Sequence, residues 1–359
     1  MPSDSDEPSG LREETFTART SAANLLAIVA TSRGPGRRAA GGQSAREVKG
    51  KRKKSAVARK QSNAERCAGA DVLQLLEQVP MPGPADSFEH TAVCQFYGAL
   101  MAYGACAKYL KAVPASTVTQ LIHQRVVPLY AHLANPSPNH LSPNSARPYL
   151  LASANWVLGE LAEVLEDAGV GQAAHAALLS ALTWQSSGDT EGTLTPVRAS
   201  AAAAITTLLQ ASCWPDDWSP LLTAAVETCG APDEEAACRS FALLEVITEV
   251  TTGAEEVSPV LVHAVTLVDR MVHALVARMQ PPPQPLDDRV QRGFAAVAAL
   301  VHALRTAHEE RAEAAEAEGE EAEAEAGMAV SGGDAAVALP PYELLVPAVV
   351  ALLSQVHTR

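Results

Sequence analysis

The sequence has few aromatic residues and no pattern that predicts β-strands. Only 4% of its 359 residues are Phe, Trp or Tyr, and no stretch alternates Val, Ile, Thr and aromatic residues with polar ones over a strand length. Apolar residues nevertheless make up 47% of the chain, which is ample for a sizeable core. Much of this content is Ala and Leu, which favour helices. The composition therefore predicts an all-α protein.

The motifs of enzymes, metal sites and membrane spans are also missing. There is no GxSxG, no HExxH, no phosphate-binding loop and no GxGxxG after a strand, so we predict no enzyme, no catalytic residue and no cofactor. The six cysteines form no CxxC pair and the histidines are scattered, which predicts no metal site and reduced, mostly buried thiols. The most apolar stretch, 335–353, contains three prolines and Glu343, so no membrane span is predicted.

Charge is present but unevenly distributed. The formal net charge is −14, whereas residues 1–66 contain 14 Lys and Arg against 7 Asp and Glu, a net charge of +7 that leaves −21 for the rest. An acidic body disfavours binding of DNA or RNA, which depends on neutralising phosphates. It suits basic protein partners better.

Apolar residues at helical spacing, with proline-marked starts, predict a series of helices. Hydroxyl-proline pairs that combine a cap with a first-turn proline occur at Thr195-Pro196, Ser219-Pro220 and Ser258-Pro259, and Asp233 is a fourth predicted cap. Pro128 predicts a kink within its helix. The predicted helices cover about 15–31, 87–112, 116–133, 147–167 and 172–184, and others begin near 195, 219, 233, 258, 286 and 341.

Paired in order, these helices form antiparallel hairpins whose first helices begin near 87, 147, 195, 233 and 286. Such spacing straddles the ~40–47 residues of HEAT and armadillo units. We therefore predict an α-solenoid of about five repeats with disordered charged loops, and a compact helical bundle is the alternative. The predicted organisation is a mostly disordered basic segment with one short helix at 1–66, HEAT-like repeats at 67–307, an acidic disordered loop at 308–338 and a terminal helix at 339–359.

Four stretches resemble one family of helical-repeat proteins. The run from Pro196 to Ile205 resembles a HEAT-repeat helix, with small residues for close packing and Arg198 expected to pair with an acidic residue of the adjacent repeat. The stretches 96–104, 148–161, 196–222 and the lysine-rich 50–54 are similar to segments of the importin-β family (karyopherins), in particular the plant and algal importin 7/8 type. The resemblance covers about residues 15–305.

This resemblance implies a long HEAT-repeat superhelix that binds protein cargo on its inner surface, binds the GTPase Ran through amino-terminal repeats and contacts the Phe-Gly repeats of nucleoporins. With about five repeats, the chain is expected to be a middle section of such a receptor. The expected role is protein transport between cytoplasm and nucleus at the nuclear pore. A HEAT or armadillo scaffold of another intracellular complex is the alternative.

Nine glutamates between 309 and 325 are the candidate cargo-binding residues. They could steer basic cargo through long-range attraction or form a linker kept soluble by charge. These residues are Glu309, Glu310, Glu313, Glu316, Glu318, Glu320, Glu321, Glu323 and Glu325.

A basic run, Lys51, Arg52, Lys53 and Lys54, is a candidate nuclear localisation signal. No aromatic residue interleaves with it, so base stacking is unsupported, and a solvated loop is the other interpretation. The four tryptophans are interpreted mainly as packing anchors. Trp214 and Trp218 bracket a turn, where one of them could be exposed for a Phe-Gly contact.

Overall fold

A computed structural model of the chain describes residues 18–31, 68–82, 90–131, 147–166, 169–184, 195–231, 233–252, 259–278, 288–324 and 339–357. Every regular element in these ranges is helical, which confirms the predicted all-α class. The helices are α1 (Ala18–Thr31), α2 (Gly69–Glu77), α3 (His90–Ala105), α4 (Ala107–Leu110), α5 (Ala115–Leu121), α6 (Arg147–Glu160), α7 (Ala162–Leu165), α8 (Gly171–Leu182), α9 (Thr195–Gln210), α10 (Ser219–Cys229), α11 (Glu234–Thr252), α12 (Pro259–Val262), α13 (Ala264–Arg278), α14 (Asp288–Ala324) and α15 (Val346–His357). A 3-10 turn, Tyr342–Leu345, precedes α15.

The chain divides into two units, Met1–Val118 and Thr119–Arg359, and the boundary falls inside the region predicted as one run of repeats. In the first unit α1 packs against α2, α3 and α4. The core of this unit contains Phe96, Leu100 and Tyr103, each at most 1% exposed. These side chains lie on one face of α3 at spacings of four and three residues.

Helices of the second unit pack in two rows. The first row is α6, α9, α11 and α14, and each of these helices packs against the next one in the row. The second row is α8, α10, α13 and α15, which pack in the same successive manner. The rows are joined where α8 packs against α6 and α9, α10 against α11, and α13 against α14. The first-row helices begin at 147, 195, 234 and 288, close to the predicted starts.

Small residues set the close approach of α6 and α9 in the first row. Ala201 and Ala204 are at most 3% exposed, as are Ile205 and Leu208. A Cβ placed on Gly159 of α6 would lie 3.4 Å from the Cα of Ala204. Helices lined with Gly and Ala can approach in this way because no long side chain separates their backbones.

Proline disturbs the helix that begins at Ala115, as predicted for Pro128. The chain continues from α5 as a π-helical turn, Ile122–Val126, and then as a 3-10 turn, Val127–Tyr130. Proline has no backbone N–H and its ring clashes with the carbonyl of the preceding turn, so the regular hydrogen-bond pattern cannot pass through this position. Residues 132 and 133, the predicted end of this helix, lie outside the described ranges.

Two of the predicted caps are tested by the structure. Asp233 Oδ1 accepts hydrogen bonds from the backbone N–H groups of Glu235 (2.9 Å) and Ala236 (3.3 Å), which confirms it as a cap. The predicted Ser219 cap is wrong. Ser219 is the first residue of α10, and its backbone N–H donates instead to Asp217 Oδ1 (2.9 Å). Thr195 is likewise the first residue of α9, and Ser258 lies outside the described ranges.

The predicted acidic loop at 308–338 must be corrected. Helix α14 runs through Ala324, so the first half of this stretch is helical. Ala and Glu are among the best helix formers, and Arg305 and Glu309 form an ion pair at i,i+4 spacing (2.7 Å) on the same helix. Residues 325–338 lie outside the described ranges.

Candidate functional site

The acidic candidate residues occupy the carboxy-terminal part of α14. The side chains of Glu309, Glu310 and Glu313 are exposed there, and Glu316, Glu318, Glu320, Glu321 and Glu323 follow on the same helix. Backbone positions 309, 313, 316, 320 and 323 share one side of the helix because they repeat every three or four residues. Arg305 pairs with Glu309, so this carboxylate is partly compensated. Glu325 lies outside the described ranges.

His308 ties the start of this acidic segment to the end of the chain. A ring nitrogen of His308, Nε2, lies 2.9 Å from the carbonyl oxygen of Pro340. The 3-10 turn that follows Pro341 packs against α13, α14 and α15. These contacts hold α14 in place at the start of its acidic segment, and the exposed Glu309, Glu310 and Glu313 follow directly after His308.

The basic candidate residues Lys51, Arg52, Lys53 and Lys54 lie outside the described ranges. Their proposed role as a localisation signal stays a prediction from the sequence.

A buried asparagine joins three elements of the second unit: the 3-10 turn that ends at Tyr130, α6 and α9. Asn155 on α6 is fully buried, accepts a hydrogen bond from the Tyr130 hydroxyl (2.6 Å), and donates to the Val197 carbonyl (3.0 Å) and to Ser200 Oγ (2.9 Å) on α9. Ser200 donates in turn to the Pro196 carbonyl. Burial raises the pKa of Tyr130 far above its ordinary value, so its hydroxyl stays protonated. The network is structural, because all of its polar atoms are paired with one another.

Side chains of α8 hold the turn between α9 and α10. The Nε2 of His175 lies 2.8 Å from the Cys213 carbonyl, and Gln172 donates to the Trp214 carbonyl (2.9 Å) while accepting from the Asp216 N–H (3.2 Å). Burial lowers the pKa of His175, while the Cys213 carbonyl, Glu166 and Asp216 act in the opposite direction. The turn also contains Ser212 at a φ of 62°.

This rigid turn presents an exposed aromatic side chain. Trp214 is 45% exposed, whereas Trp184 is only 7% exposed and Trp156 and Trp218 are half-buried. Three of the four tryptophans therefore act at least partly as packing residues. Of Trp214 and Trp218, one of which could be exposed according to the sequence, Trp214 is the exposed residue.

Arg198 pairs with no acidic side chain among the described residues, whereas the HEAT-like motif led us to expect such a pair. Its Nε and Nη2 both donate to the Trp184 carbonyl, at 3.0 and 2.8 Å. A guanidinium can supply two N–H groups to one carbonyl oxygen in this way. Arg198 therefore ties α9 to Trp184, just after the end of α8.

Sequence reasoning missed a groove in the second row. It lies between α10 and α13, has a volume of about 650 Å³ and is open to solvent. Its floor contains Val226, Ala274 and Ala277, and its rim carries Glu227, Asp269, Arg270 and His273. The spacing of 269, 270, 273, 274 and 277 along α13 could have indicated one shared helix face, but nothing in the sequence pairs that face with the end of α10.

In the part of the chain that the structure describes, no group of three or more His, Cys, Asp or Glu side chains is placed to hold a metal ion. Within those residues, too, no helix has the length and apolar character needed to cross a bilayer. Of the cysteines described, Cys106, Cys213 and Cys229 are buried free thiols, Cys94 is exposed and Cys238 is half-buried. Burial raises the pKa of the Cys106 thiol to about 11.

No protein-family model matches the chain, and no curated protein matches it significantly.

Proposed function

We propose that the second unit is a HEAT-type α-solenoid whose function is to bind another protein. The observation that carries this proposal is the packing of α6, α9, α11 and α14 in one row and α8, α10, α13 and α15 in a second. First-row helices begin 39 to 54 residues apart, around the ~40–47 residues of HEAT and armadillo units. Solenoids of this kind offer extended surfaces to protein partners.

The partner class follows from the family resemblance and the charge. Three of the four stretches that resemble importin-β-family receptors correspond to α3, to α6, and to α9 with the start of α10. The body of the chain is acidic and presents exposed glutamates at the end of α14, which favours basic protein cargo. The chain is therefore proposed to be an importin-like nuclear transport receptor, or a section of one, that works with Ran and nucleoporins between cytoplasm and nucleus.

Capture by Ran and nucleoporins tests the receptor proposal. The intact gene product, tagged in its own cells, is offered to immobilised Ran locked in its GTP form, to Ran bound to GDP, and to a Phe-Gly nucleoporin fragment. We expect capture by the GTP form and by the fragment, and loss of the second when the fragment's Phe residues are changed to Ser. If neither bait captures the protein, the receptor proposal fails and the scaffold of another complex takes its place.

The cargo role of α14 is tested with matched charge changes. A triple variant, Glu309→Gln, Glu310→Gln and Glu313→Gln, removes three exposed carboxylates of α14. The control changes Glu234, Glu235 and Glu249 of α11 to Gln, which are exposed too. We expect the α14 variant, and more strongly the variant with all nine glutamates changed, to capture less of a basic protein such as a core histone at low salt. Equal capture by the α14 variant and the control would remove the cargo role.

A further inference from the structure

The groove between α10 and α13 carries four polar side chains that are not used by the fold. Glu227, Asp269, Arg270 and His273 are exposed at its rim. Across the described ranges, none of the four side chains makes a hydrogen bond or an ion pair. Polar groups that converge on an apolar floor without internal partners are a common feature of binding sites.

The shape and chemistry of this groove restrict what it can hold. It is open to solvent, so an extended or helical segment can lie in it without the helices separating. Val226 is 5% exposed and Ala274 is half-buried, which leaves a shallow apolar floor for small or medium side chains. The carboxylates of Glu227 and Asp269 repel phosphate groups, so nucleotides and nucleic acid are disfavoured.

We propose that the groove binds a short peptide segment of a partner protein in which Lys or Arg alternates with apolar residues. Glu227 and Asp269 would pair with the basic side chains, and the apolar residues would cover Val226, Ala274 and Ala277. The groove contains two carboxylates and one guanidinium, and residues 67–359 have a net charge of −21. The net negative charge around the groove therefore favours a cationic ligand. Arg270 limits the site to partners that place a carbonyl or carboxylate beside it, which gives direction to the bound segment.

This inference deepens the proposed function, because it assigns a second contact for a basic protein partner, separate from the acidic end of α14. It does not depend on Ran or on nucleoporins. The two sites lie on different rows of the second unit: the groove on α10 and α13, and the glutamates on the first-row helix α14. Variants of one site can therefore be compared with variants of the other.

Peptide binding by the purified full chain tests the proposal. The probes are three fluorescein-labelled twelve-residue peptides: alternating Lys and Leu, alternating Lys and Ser, and alternating Glu and Leu. Fluorescence anisotropy is measured at low and moderate salt on the wild type and on the variant with the nine glutamates between 309 and 325 changed to Gln, which removes the competing acidic segment. We expect the Lys-Leu peptide to bind both proteins more tightly than either of the other two peptides.

Groove variants then locate the site. The double variant Glu227→Gln, Asp269→Asn is expected to bind the Lys-Leu peptide about fivefold or more weakly, since two partly exposed ion pairs are lost. The control Glu160→Gln, Glu249→Gln makes the same change of charge on exposed residues of α6 and α11 and is expected to bind as the wild type does. Ala277→Phe, at an exposed position of the floor, is expected to block the apolar contact.

Three results would overturn the inference. Equal binding of the Lys-Leu and Lys-Ser peptides would show attraction by charge alone. Equal loss in the groove variant and its matched control would show that net charge, and not the groove, decides binding. Tighter binding of the Glu-Leu peptide would assign the groove to an acidic partner. None of these outcomes bears on Ran or nucleoporin capture, so failure here leaves the receptor proposal standing.

Discussion

At the scale of single residues, Asn155 allows a prediction of stability, because its side chain forms hydrogen bonds with both Tyr130 and α9. Replacing Asn155 by Leu is expected to lower the free energy of unfolding by about 1–3 kcal/mol, because buried hydrogen-bonding groups lose their partners. Urea unfolding measures the change. The control is Ser153→Ala on the same helix, whose hydroxyl bonds only to the carbonyl of Tyr149 one turn earlier, and which is expected to cost much less.

A double-mutant cycle separates this network from general packing. Tyr130→Phe alone leaves Asn155 Oδ1 without its donor, whereas the double variant Tyr130→Phe, Asn155→Leu leaves neither group unpaired. The two changes together are therefore expected to cost less than the sum of the single changes, by about 1 kcal/mol. Strict additivity would contradict a direct hydrogen bond between these two side chains.

His175 predicts how stability depends on pH. Its pKa is lowered in the folded protein, mainly by burial, so the unfolded chain takes up a proton at a higher pH than the folded one. The free energy of unfolding is therefore expected to be fully retained above about pH 6.5, the ordinary pKa of histidine, and to decrease as the pH falls below it.

The measurement compares urea unfolding at pH 7.5 and pH 5.5. His175→Gln is expected to reduce the loss of stability between these two values, because the group that binds the extra proton in the unfolded state is gone. His123→Gln, which changes an exposed histidine of the same unit, is expected to leave the loss as it is in the wild type. An unchanged loss in the His175 variant would remove this residue as the cause.

At the scale of helices, replacing glycine by alanine is expected to have opposite effects on stability at two positions, Gly159 and Gly293. A Cβ on Gly159 would lie 3.4 and 3.5 Å from the Cα and Cβ of Ala204, at the edge of ordinary contact. A Cβ on Gly293 of α14 would collide with the side chain of Leu275 on α13, which is fully buried. The contact between α6 and α9 can therefore accommodate an added methyl group, whereas the contact between α13 and α14 cannot accommodate one without a shift.

Gly159→Ala is expected to leave stability unchanged or to raise it by up to about 1 kcal/mol, because alanine is the better helix former. Gly293→Ala is expected to lower the free energy of unfolding by about 1–3 kcal/mol through overpacking. Leu275→Ala introduced into this variant should cost less than the deletion of a leucine usually does, because it removes the side chain with which the new Cβ collides. Thermal and urea unfolding of the three variants check this. Stabilisation by Gly293→Ala would contradict the close packing of α13 on α14.

At the scale of the whole molecule, the structural features that depend on residues close together in the sequence could be predicted from it. The first-row helix starts were found because proline, hydroxyl side chains and apolar spacing mark them locally. The groove and the bonds of His175 and Gln172 were missed, because their partners lie about forty residues away and no short-range pattern pairs them. The acidic run was misinterpreted for a different reason: charge was taken as evidence against structure, although Ala and Glu favour helix.

The row arrangement makes a last prediction, about how stability is distributed along the chain. In a solenoid, each helix is stabilised mainly by its immediate neighbours, so a helix with neighbours on both sides opens less often than one at the end of a row. Helices α9 and α11 each pack against two first-row neighbours, whereas α15 packs against α13 and the preceding 3-10 turn and leaves Val346, Val350 and Leu353 more than half exposed. Hydrogen exchange followed by mass spectrometry is expected to be fastest in α15 and slowest in α9 and α11. The variant with the nine glutamates between 309 and 325 changed to Gln is the control, since the loss of these charges should leave this order unchanged. Equal protection of α15 and α11 would instead indicate a single cooperative bundle, in which every helix opens only when the whole unit unfolds.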